Sequence, residues 1–114
     1  MVNKQKLISI VVPIFNESES IEAFVKGVEE LNINFEVIFV CDPCSDDSVV
    51  KIKNIVSKNN KNYKTIIMSR RFGQHKCIIA GLDHASGDAV IVMDVDGQDP
   101  VEAIPKMIQK WTNG

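Results

Sequence analysis

Short apolar runs alternate along the chain with stretches of helical spacing. Residues 7–12 form a continuous run rich in Ile and Val, the pattern of a strand covered on both faces. Ile21, Phe24, Val25, Val28 and Leu31 follow at i, i+3, i+4, i+7 and i+10, which predicts a helix. Asn16, with Glu19 three residues on, offers that helix an N-terminal cap. Residues 35–40 read as a second buried strand. Ser45, Asp46 and Asp47 can cap a second helix, whose Val49, Ile52 and Val56 share one face. A polar turn at 59–62 leads to a third strand at 65–68, a third helix at 73–85 stopped by Ser86-Gly87, and a fourth strand at 89–93. After the polar loop 94–99 comes a last helix expected to bury Ile104, Met107, Ile108 and Trp111. Pro105 cannot sit deep in a helix without breaking a turn. A tight turn over 100–103 and a regular helix from about Pro105 are therefore expected.

The resulting order, β-α-β-α-β-α-β-α, implies a parallel sheet with helices on both faces. Right-handed crossovers leave few arrangements. The commonest is a Rossmann-like three-layer α/β sandwich with strand order 3-2-1-4. That order reverses between strands one and four, and ligands bind at the carboxyl ends of strands beside such a reversal.

Composition narrows the class. The 114 residues suit one domain. Apolar residues at 45% and charged residues at 25% argue against disorder or a fibre. A net charge of −2 offers no basic field to hold nucleic acid. Three cysteines are too few for a disulfide scaffold and point to a reducing, cytoplasmic compartment. Lys4 and Lys6 before the first apolar run imitate a signal peptide, but Pro13, Asn16, Glu17 and Glu19 interrupt the pattern. No apolar run approaches the ~18–20 residues that span a bilayer, so a soluble chain is expected.

The polar strand-end loops hold the candidate chemistry. In Asp94-Val95-Asp96, an extended chain points residues i and i+2 the same way, so two carboxylates can converge. Oxygen ligands suit a hard cation such as Mg²⁺ or Mn²⁺, and Gln98 adds a neutral oxygen. The plain alternative is a solvated loop with Asp99 capping the last helix. Phe15, just past Pro13, can stack on a flat base. Asp42 can accept from a base N–H or a ribose hydroxyl, or can serve as a helix cap. Glu17 and Asn16 can serve the site or simply start the first helix. Arg70, Arg71, His75 and Lys76 form the basic cluster, able to meet phosphates or to face solvent. His84 is read as an exposed or capping residue.

Four segments together carry a resemblance: Val11-Val12-Pro13-Ile14-Phe15-Asn16-Glu17, Ser69-Arg70-Arg71-Phe72-Gly73-Gln74, residues 80–88, and Asp94-Val95-Asp96-Gly97-Gln98-Asp99-Pro100. In this order and spacing the chain resembles the family 2 glycosyltransferases of GT-A fold, and within them the polyprenyl-phosphate and dolichol-phosphate sugar transferases. The resemblance implies a nucleotide-diphosphate sugar donor site in which Pro13, Phe15 and Glu17 line the base and ribose. It implies that Asp42, Arg70 and Gly73 lie beside the nucleotide. Asp94, Asp96 and Gln98 would hold Mg²⁺ or Mn²⁺ and the diphosphate, with Asp94 and Asp96 as the catalytic carboxylates. Cys41-Asp42-Pro43-Cys44 stands where family members usually show Asp-Asp-Gly-Ser, and Gly97 where a larger apolar residue is common. Family domains are about twice this length. The resemblance therefore makes residues 1–114 the nucleotide-sugar-binding half of a GT-A domain, with the acceptor half absent and the isolated piece inactive in transfer. The implied acceptor is a polyprenyl phosphate or another glycan acceptor. Membrane association of the full-length protein, on the cytoplasmic face, and oligomerisation are left open.

Two other classes compete. Cys41-Asp42-Pro43-Cys44 after a strand and before a helix matches the active-site spacing of a thioredoxin-like thiol-disulfide oxidoreductase, whose helix N-terminus acidifies the thiol. That fold needs antiparallel strands after the motif helix, whereas every later strand here precedes another helix. A receiver-type signalling module needs acids at the ends of strands one and three, but strand three ends in Ser69-Arg70-Arg71.

Overall fold

Every residue of the first strand, β1 (Ile8–Ile14), is buried, as expected of a strand covered on both faces. The computed structural model describes residues 6–95 and 101–113. The elements follow in the expected order: β1, α1 (Ser18–Glu29), β2 (Phe35–Cys41), α2 (Ser48–Lys58), β3 (Tyr63–Ile67), α3 (Gln74–His84), β4 (Ala89–Val92), a 3₁₀ turn (Val101–Ala103) and α4 (Ile104–Thr112). The strands form one sheet in the order β3-β2-β1-β4, and all three pairings are parallel. This is the Rossmann-like α/β arrangement expected from the alternation. Pro105 lies in the first turn of α4, where its missing N–H costs no helical bond.

The two sheet faces carry separate cores. Ile8, Ile10, Val12 and Ile14 of β1, with Val37 and Phe39 of β2, pack under Ile21, Phe24 and Val28 of α1, Ile52 of α2, and Ile104 and Ile108 of α4. On the other face Val11, Ile38 and Val40 meet Cys77 of α3. That helix approaches the sheet closely because Gly81 has no side chain. A Cβ there would sit 2.3 Å from Val11 Cγ1.

At the amino ends of the strands Glu36 is buried to 3% exposure. It accepts from Lys64 Nζ at 2.7 Å, Ser86 N at 2.7 Å and the Ser9 and Ser86 hydroxyls. Burial pushes this carboxyl up, but the bonds from Lys64, Ser9 and Ser86 outweigh it and bring it down to about 2. The network ties the turn before β4 to the centre of the sheet.

Two expectations change. Met107 and Trp111 are exposed rather than buried, as are Val90 and Val92. Among the described residues β4 is an edge strand, and the groove it forms with α4 is left open. Asn16 does not cap α1. Its φ of 53° turns the chain, and the N-cap position falls to Glu17, whose own side chain makes no cap bond. No helix among the described residues is long and apolar enough to cross a membrane.

Candidate functional site

β1 runs past its neighbour, and this opens a cleft. β4 pairs with β1 only from Ile8 to Val11, whereas β2 pairs with it as far as Ile14. Val11 O accepts from Met93 N on the β4 side, and Ile14 O accepts from Asp42 N on the β2 side. Pro13, two residues beyond Val11, therefore faces the side where β4 has ended. A residue without an N–H leaves no donor orphaned there, so the proline extends the strand instead of stopping it at Val12. The space beyond holds a cleft of about 220 Å³ lined by Pro13, Ile14, Phe15, Glu17, Asp42, Arg71, Gln74, Cys77 and Asp94. It lies at the carboxyl ends of β1, β2 and β4, beside the reversal of strand order, where α/β sheets bind ligands.

The loops after β1 and β2 clasp each other. Asn16 Oδ1 accepts from Ser45 N at 2.8 Å and Asp46 N at 3.4 Å. Glu17 N donates to Ser48 Oγ at 2.9 Å, and Ser18 N to Asp46 Oδ2 at 3.2 Å. Side chains of the second loop thus satisfy the free N–H groups at the start of α1. Asp46 also accepts from Ser48 N at 2.9 Å, so it caps α2 as the sequence suggested. Asp47 instead accepts from the Ser18 hydroxyl. The clasp fixes the cleft wall that carries Phe15 and Glu17.

The opposite wall hangs on Asp42. This buried carboxylate accepts from Phe72 N at 3.2 Å, Gly73 N at 3.0 Å and the Cys77 thiol at 3.3 Å. These bonds hold the turn that leads into α3 and are not a helix cap, since the N-cap position of α3 is Gly73, without a side-chain cap bond. Gly73 has φ 91° and ψ 164°, a conformation essentially restricted to glycine. Pinning these two amides presents Arg71, whose guanidinium carbon lies 3.7 Å from the centroid of the Phe15 ring. Gln74 Nε2 donates to Asp94 Oδ1 at 3.0 Å, linking α3 to the loop after β4.

Pro13, Phe15, Glu17, Asp42 and Asp94 are brought together as expected. Arg70 and Gly73 are not among the lining residues. Arg70 packs on Phe72 at 4.9 Å, and Gly73 shapes the turn behind the wall. Asp96 and Gln98 lie outside the described residues. Among those described, no group of three or more His, Cys, Asp or Glu side chains is placed to hold a metal. Ile14, Arg71, Gln74 and Cys77 join the site without having been assigned to it. Arg71 belonged to the basic cluster, but nothing in the sequence separates it from Arg70. His84 is exposed, with Nδ1 2.9 Å from Ala80 O.

The thiol-disulfide reading is overturned. All four strands are parallel, without the antiparallel strands that fold requires. Cys41 is buried, and burial pushes its thiol up to about 11. Burial with the Asp42 contact pushes Cys77 up to about 12. A dithiol nucleophile needs the opposite shift. Cys41 and Cys77 are packing residues.

Comparisons with known proteins agree with this geometry. The family model described as Glycosyl transferase family 2 matches residues 9–114. A bactoprenol glucosyl transferase of Shigella phage SfV is 44% identical over 111 residues, covering 94% of this chain and 36% of the relative. A prophage bactoprenol glucosyl transferase homolog of Escherichia coli (strain K12) is 42% identical with the same coverage. The chain thus spans about a third of the length of these relatives. Among solved structures, a mannosyltransferase from Pyrobaculum calidifontis, in complex with GDP-Man and Mn²⁺, superposes with a TM-score of 0.80. It shares 21% identity and covers 94% of this chain and 32% of its own. Glucosyl-3-phosphoglycerate synthase from Mycobacterium tuberculosis, in complex with UDP, gives a TM-score of 0.73 at 22% identity, covering 96% and 41%. These neighbours share the GT-A fold with the chain, and the family match takes in nearly the whole sequence: the chain belongs to glycosyl transferase family 2.

Proposed function

We propose that these residues form the donor-binding part of a glycosyltransferase. The whole protein would move a sugar from a nucleotide-diphosphate sugar to a polyprenyl phosphate, by inverting displacement at the anomeric carbon. The observation that carries this reading is the cleft past the end of β4, where Phe15, Glu17, Asp42, Arg71 and Asp94 converge. Identity with the bactoprenol glucosyl transferases supports the acceptor class. GDP-Man and UDP in proteins of the same fold support the donor class.

In this reading Pro13, Phe15 and Glu17 line the base and ribose. Asp42 holds the turn that carries Arg70, Arg71 and Gly73 beside the nucleotide. Asp94 brings a carboxylate to the cleft, the ligand type suited to a hard divalent cation. Mg²⁺ or Mn²⁺ would be held by Asp94 and Asp96, with Gln98 in support. When bound, the cation supplies charge neutralisation for the departing nucleotide diphosphate. A polyprenyl phosphate is already ionised, so none of the cleft side chains has to remove a proton from it.

The test is thermal melting of the chain with UDP or GDP, with and without Mn²⁺. Ligand at a hundredfold excess over Kd stabilises by about 2.7 kcal/mol, about ten degrees in Tm for a domain of this size. The Mn²⁺-dependent part of that shift should vanish in Asp96→Ala. No shift at millimolar nucleotide, or an unchanged Mn²⁺ effect in the variant, contradicts the assignment.

A further inference from the structure

Arg71 lies on the very ring that would receive a nucleotide base. Its guanidinium carbon is 3.7 Å from the Phe15 centroid, a separation that puts a planar cation against the ring face. Arg71 is exposed and Phe15 half-buried. A ligand entering the cleft therefore meets the guanidinium first, with the phenyl ring behind it. The turn prepares this placement, because Asp42 pins the amides of Phe72 and Gly73 immediately after Arg71. Two other basic residues of the segment are directed elsewhere. Arg70 and Lys76 both pack on Phe72, at 4.9 Å and 5.7 Å. Among the described lining residues Arg71 is the cation, set against the carboxylates of Glu17, Asp42 and Asp94.

We propose that Arg71, backed by Phe15, is the stacking platform for the base of the donor nucleotide, its guanidinium lying between ring and base. This rests on the donor-site reading above. Guanidinium planes stack on nucleobases, and stacking is tolerant of base identity because every base has a π face. Arg71 is thus a positioning residue that strengthens UDP and GDP binding alike and leaves the choice between them to groups at the base edge.

Calorimetric titration of the chain with UDP and with GDP in the presence of Mg²⁺ tests this, using wild type, Arg71→Lys and Arg71→Met. Lysine keeps the charge and loses the plane; methionine loses both. Because stacking carries the interaction, both variants should lose about tenfold in affinity for each nucleotide. Inorganic pyrophosphate with Mg²⁺, which has no base, should bind all three proteins within about twofold. Retention of nucleotide affinity by Arg71→Lys with its loss in Arg71→Met would make Arg71 a phosphate contact and overturn the platform. Wild-type affinity in both variants would also overturn it. Wild-type protein that binds neither nucleotide would instead remove the donor reading, and the platform with it.

Discussion

Asp42 accepts hydrogen bonds from two backbone amides and a thiol, so it lines the cleft and also holds the loop that carries Arg71. Glu36 is its counterpart at the other end of the sheet. It is buried among Lys64, Ser9 and Ser86 and titrates at about 2, against an ordinary 4.5. A lowered folded-state value contributes stability that is fully present above about 4.5 and is lost as pH falls toward 2. The shift corresponds to roughly 3 kcal/mol. Glu36→Gln should therefore destabilise the fold by about that amount at pH 7, and the mutant should lose little more between pH 4.5 and pH 2.5. Urea unfolding of both proteins across that range checks it. Parallel pH profiles for the two would mean that Glu36 does not carry the acid sensitivity.

The elements show where local rules suffice and where they fail. The alternation of apolar runs with helical spacing, and Pro105 near a helix start, are local signals, and the strand order and the start of α4 follow from them. β1 extends through Pro13 because pairing there is one-sided, a fact of the neighbouring strand rather than of the proline. Asn16 has the residue type of a cap, but its acceptor is used by a loop 29 residues away. Met107 and Trp111 have core spacing, yet α4 meets an edge strand there. Arg70 and Arg71 are adjacent and identical in type, and only the folded turn directs one of them into the cleft. Close packing of elements can be tested at Gly81. A Cβ at that position would meet Val11 Cγ1 at 2.3 Å and Val40 Cγ2 at 3.1 Å, and both valines belong to fully buried strand segments. Gly81→Ala should cost about 1–3 kcal/mol through overpacking, read from the urea midpoint. An unchanged midpoint would show that α3 can lift from the sheet without penalty.

Across the whole molecule the two ends of the parallel sheet have different work. The amino ends are closed by the Glu36 network. The carboxyl ends are held apart by the clasp around Asn16 and the turn pinned by Asp42, which leaves the cleft between them. Family membership and the GT-A neighbours place this architecture among sugar transferases. The position of the bound nucleotide and metal is the central claim, and paramagnetic Mn²⁺ reports position directly. Amide resonances of the isotopically labelled chain can be recorded with Mn²⁺ and UDP, and with Mg²⁺ and UDP as the reference. A donor site in this cleft predicts that Phe15, Glu17, Asp42, Arg71 and Asp94 broaden while Ser9, Glu36 and Ser86 stay sharp. Broadening centred on the amino ends, or spread evenly over the chain, would contradict it.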